Sequence, residues 1–157
     1  MLRFVWYAGH MTYAKKLTIA KILVSLGLCI YVLMPFAVDF GASHIGSEHW
    51  TPHARFHLTW VLYGNLMALP IMLWAVWGKK LHGTARSVRL MAFLGLAFTM
   101  GFYLATASRA RIGAELHDPG HEHLILGMDG NLVSTSAVFI LLLSGVFLSI
   151  RKDTDSK

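Results

Sequence analysis

Between His44 and His57 the chain concentrates four imidazoles, His44, His49, His53 and His57, with the carboxylate of Glu48 and the guanidinium of Arg55 among them. His53 and His57 stand four residues apart. On a helix that spacing puts both rings on one face, a turn apart, as a bidentate platform for a transition metal. A second concentration follows at His117, His121 and His123, interleaved with Asp118 and Glu122. Imidazoles mixed with carboxylates suit three chemistries. They bind metals, they sense or pass protons near neutral pH, or they hydrogen-bond one another and lipid headgroups.

In the metal reading, ligands come from His49, His53, His57, His117, His121 and His123, with the two stretches converging to complete a facial set. The expected cofactor is a divalent or transition metal, Zn, Fe or Cu. Glu48 or Glu122 handles the proton, and Arg55, Arg109 and Arg111 receive an anionic headgroup. The helix motif of zinc proteases is not matched, because Ala54 rather than Glu follows His53. A haem within the core is disfavoured, since His57 alone stands clearly on an apolar span. Di-iron membrane desaturases also use many histidines over four spans, but their adjacent His-His pairs are missing here. Proton conduction across a bilayer needs ionisable groups within the spans. Below His57 that stretch offers Asn65 and hydroxyls.

The elements that must position these groups are apolar. The 157 residues are 55% hydrophobic and only 14% charged, against roughly 25% charged in soluble domains, and the mean hydropathy is +0.54. Four apolar runs, 17–38, 56–77, 90–107 and 132–150, approach the roughly 20 residues a helix needs to cross a hydrocarbon core. The expected fold is all-α: an integral membrane four-transmembrane-helix bundle, a single domain over residues 1–157. The lone Cys29 lies within the first run and excludes an intrachain disulfide.

Charge is segregated along the chain. Arg3, Lys15, Lys16 and Lys21 precede or open span one; Lys79, Lys80, Arg86 and Arg89 lie between spans two and three; Arg151, Lys152 and Lys157 follow span four. Short Lys/Arg-rich segments stay cytoplasmic, so both termini are expected in the cytoplasm of a bacterial inner-membrane protein. The net charge of +6 is then a topology signal and a contact to anionic lipid, and nucleic acid is not an expected partner. Seven of nine histidines and six of eight acids fall in the other two connections, which places them on the periplasmic side.

Local signals refine the bundle. Thr51-Pro52 is a helix start, with Thr as N-cap and Pro at the first helical position. Pro35 and Pro70 are expected to bend spans one and two. Gly95, Ala97, Gly101 and Ala105 point to close packing of span three at the centre. Asp118 to His121 predicts a type II turn, and Asn131 is the expected N-cap of span four. Residues 1–16 read as an interfacial lead-in, with a signal peptide as the competing reading.

The box His49-Trp50-Thr51-Pro52-His53-Ala54-Arg55-Phe56-His57, preceded by Asp39 and His44, resembles a family of small bacterial four-span membrane proteins known only as a domain of unknown function. The resemblance runs from span one through span two. It implies the four-span fold and a role for His53, Arg55 and His57, but no reaction. The leading expectation is a metal-dependent membrane enzyme acting on a lipid or other apolar substrate at the outer leaflet. The alternatives are an accessory subunit of a larger membrane complex, or a bundle that holds a lipid, sterol or quinone. Membrane lipid, a larger complex and a homo-oligomer are the expected partners.

Overall fold

A computed structural model describes residues 11–42, 44–79, 82–117 and 123–150. Helices α1 (Tyr13–Asp39), α2 (Pro52–Trp77), α3 (Ala85–Ile112) and α4 (Gly130–Leu148) account for most of them. All four are long and apolar enough to cross a membrane, and their outer surfaces are apolar too. Met67, Ile71, Leu90, Leu104, Ile140 and Phe147 are all more than 60% exposed. Such a surface suits lipid, so this is a multi-pass membrane bundle.

Helix ends follow the capping chemistry of their residues. Thr51 accepts a hydrogen bond from the Ala54 N–H at 3.2 Å, with Pro52 behind it at the first helical position. Thr84 does the same for α3 through the Ser87 N–H, also at 3.2 Å. The start of α4 differs from the expectation of Asn131. Asp129 is the N-cap and accepts from the Asn131 and Leu132 N–H groups at 2.9 and 3.3 Å. A carboxylate takes two of the four orphan donors of the first turn, which leaves Asn131 inside the helix. Just before it, β1 (Leu124–Ile125) and β2 (Met128–Asp129) form a small antiparallel hairpin. At its tip Leu126 and Gly127 both have positive φ, 52° and 79°.

The helices alternate in direction. At one end the Tyr13 hydroxyl and the Arg89 guanidinium both donate to the Ser149 carbonyl, at 3.2 and 2.9 Å. The Trp77 indole donates to Ser25 Oγ at 2.7 Å, under the Lys21 ammonium. This basic end therefore gathers the starts of α1 and α3 and the finishes of α2 and α4. The α1–α2 and α3–α4 connections, with their histidines, lie at the opposite end.

Packing is tightest between α1 and α4, not along α3. Leu142, fully buried, sits against Gly27 of α1 and Gly95 of α3. A Cβ on either glycine would stand within 2.9 Å of a Leu142 methyl. Gly145 gives the same close approach to Val24. Gly95 thus packs as expected, whereas Gly101 has nothing within 4 Å. The second helix touches α1 and α3 but not α4, so α2 and α4 stand at opposite corners of the bundle.

Candidate functional site

At the histidine end the side chains gather in pairs. His53 and His57, exposed on the first turns of α2, bring their Nε2 atoms to 3.0 Å with ring planes at 89°. His44 Nδ1 lies 3.9 Å from the Asp39 carboxylate at the end of α1, and its ring meets Trp50 edge-on. His117, just past α3, donates from Nδ1 to Asp129 Oδ2 at 2.8 Å. Burial pushes the Asp129 carboxyl up, but the His117 hydrogen bond, the Leu132 and Asn131 amides and the His117 charge together hold it below its ordinary value.

Two of these pairs flank a cavity. It has a volume of about 230 Å³ and opens between α1, α3 and α4 near the histidine end. Its walls are apolar where Ile30, Met34, Val38, Phe102 and Val138 face it. Tyr31, Asp39, Thr99, Asn131, Ser134 and Thr135 supply the polar lining. Asp39 belongs to the His44 pair. Asn131 sits on the Asp129 cap and donates its own amide to the Leu116 carbonyl at 2.8 Å.

Some of the hydroxyl protons here are already committed. Thr99 donates to the Gly95 and Leu96 carbonyls at 3.2 and 3.0 Å, and Ser134 to the Asn131 carbonyl at 3.2 Å. Pro35, also on the wall, has no N–H for the Tyr31 carbonyl one turn back. What remains facing the space is mostly acceptor: the Asp39 carboxylate, the Asn131 amide oxygen and hydroxyl lone pairs. Among the lining hydroxyls, those of Tyr31 and Thr135 are not spent on helix carbonyls among the described residues.

The residues singled out by sequence fall into different places. Among the described residues, no three His, Cys, Asp or Glu side chains lie close enough to hold a metal together. The expected convergence of the two histidine stretches is therefore not seen among them. His53 and His57 sit on α2, whereas His117 is tied to the N-cap of α4, the helix that α2 does not touch. Glu48, His49 and His123 are exposed. The His123 carbonyl accepts from Gly130 N–H at 2.7 Å. His121 and Glu122, with Asp118 and its expected turn, lie outside the described residues.

The three arginines do not form ion pairs with carboxylates among the described residues. Arg55 donates to the Ser47 carbonyl at 2.6 Å and its buried Nε has no partner there. Arg109 bonds the Thr106 carbonyl of its own helix at 3.0 Å, and Arg111 is exposed. Arg55 thus braces the α1–α2 connection from inside.

A bundle that holds a small molecule is among the sequence expectations, but the position of the cavity is not legible in the sequence. The hydroxyls of Ser134 and Thr135 and the acid at Asp39 were visible as polar residues at span ends. Nothing in four evenly apolar helices told which faces turn toward each other. No protein-family model, curated protein or solved structure matches the chain.

Proposed function

We propose that this protein is a membrane-embedded binding bundle. It holds an apolar molecule with a hydrogen-bond-donating head in the cavity between α1, α3 and α4. The observation that carries this reading is the polarity of the lining: an apolar sleeve closed mainly by acceptors, with Thr99 and Ser134 already donating to helix carbonyls. A hydroxyl or amine would satisfy Asp39 and Asn131, while a bare carbonyl head would have only the Tyr31 and Thr135 hydroxyls to meet it. A cavity near 150 Å³ already admits benzene, so about 230 Å³ accommodates a ring-sized head. The tail would lie along the exposed apolar surface of the helices, in lipid.

The asymmetry of lysine and arginine supports an orientation with the basic end in the cytoplasm and the cavity mouth toward the periplasm of a bacterial inner membrane. In that orientation a ligand enters from the outer leaflet. The Asp39–His44 and Asp129–His117 pairs stand where its head would meet water.

A decyl-substituted hydroquinone and its quinone, which lacks a donor, are the probes. Both are titrated against full-length protein in lipid nanodiscs. Saturable binding of the hydroquinone, about tenfold or more tighter than the quinone, is expected, with Asp39→Asn weakening it. Equal affinity for both forms, or no saturable binding, ends the proposal.

A further inference from the structure

We infer that His53 and His57 form a chelate for copper(II) on the exposed face of α2. The site is separate from the cavity, since neither residue lines it. Their Nε2 atoms lie 3.0 Å apart, with the ring planes at 89°. A metal about 2.05 Å from each nitrogen would see them at an angle of about 94°. Tetrahedral zinc wants its nitrogens about 3.35 Å apart at that bond length. The right angle suits cis positions of a tetragonal ion, and copper(II) is also the strongest binder of nitrogen ligands in the divalent series.

The pair is prepared for this. The His57 ring is flanked by Phe56 and Trp60, with centroids 5.9 and 6.2 Å away, which restricts its orientation. Two exposed imidazoles gain little from a hydrogen bond to each other in water, whereas a shared metal uses a lone pair from each. The positive N-terminal dipole of α2 opposes a cation, but it is screened at an aqueous rim and smaller than the gain from a second ligand. Water or an anion completes the coordination shell.

The test uses purified full-length protein in detergent and copper(II) alone. Trp60 lies next to His57, so bound copper quenches its fluorescence. One saturable event per chain is expected, with a spectrum of two equatorial nitrogens by electron paramagnetic resonance. His53→Gln or His57→Gln should each weaken binding about a hundredfold or more and leave a single nitrogen. Both side chains are exposed, so helicity should be unchanged. Trp60→Phe should bind copper with most of the quench lost, and His82→Gln, on the loop at the basic end, should change nothing. An unchanged midpoint in either histidine variant, or zinc binding tighter than copper, overturns the assignment.

Discussion

Asp129 Oδ2 accepts from His117 Nδ1 at 2.8 Å while Asp129 Oδ1 caps α4 at the Asn131 and Leu132 amides. One carboxylate thereby ties the end of α3 to the start of α4, on the rim of the cavity. Asp129→Ala removes the cap and the tie, and a loss of about 1–2 kcal/mol is expected. Asp129→Asn keeps a capping oxygen and should lose less. Thermal unfolding of the three proteins in one detergent checks the order.

The same carboxyl fixes the sign of an acid response. Its folded value lies below the ordinary carboxylate range, near 3.9 when unperturbed. Its contribution is therefore complete above that range and disappears as pH falls through the lowered folded value. The stability gap between the unmodified protein and Asp129→Asn should be present at about pH 5 and close as pH falls below about 4. A gap that widens below about pH 4 would contradict the lowered carboxyl.

Close approach between α1 and α4 makes Gly145 sensitive. A Cβ there would stand 2.5 Å from Val24 Cγ2 and 3.3 Å from the Ala20 carbonyl. Gly145→Ala should cost about 1–3 kcal/mol, and Val24→Ala in the same chain should recover part of it. Gly101→Ala, with open space around it, is the control expected to be near neutral. Unfolding by denaturing detergent measures all three.

Leu126 occupies the left-handed region at φ 52° and is 94% exposed. A left-handed backbone costs a non-glycine residue about 1–2 kcal/mol, and no burial offsets it here. Leu126→Asn, which makes the Asn-Gly pair favoured at such hairpin tips, should raise stability by about 1 kcal/mol. A lower melting temperature would mean that the leucine contributes something the isolated chain does not show.

Much of the fold was legible because its signals are local. Apolar length gave the four spans, and Thr51-Pro52 gave the start of α2. The site was less so. His53 and His57 follow from helical periodicity alone, and they meet as expected. His117 bonds the acid at the N-cap of the next helix, twelve residues on, and the β1–β2 hairpin just before that cap folds the chain back on itself. No spacing rule encodes that return. Nor could the spacing of Tyr31, Thr99 and Thr135 reveal one cavity, since helices meant for lipid carry no polar stripe to mark an inside.

Leu142 lodges between Gly27 and Gly95, and Val138, one turn away on the same helix, forms part of the cavity wall. Widening the chamber by spreading α1 from α3 would strip that leucine of its seat on both sides. Occupancy and helix spacing are thus mechanically linked. Bulkier guests should fit by leaning outward past the rim, since the floor has no slack to give.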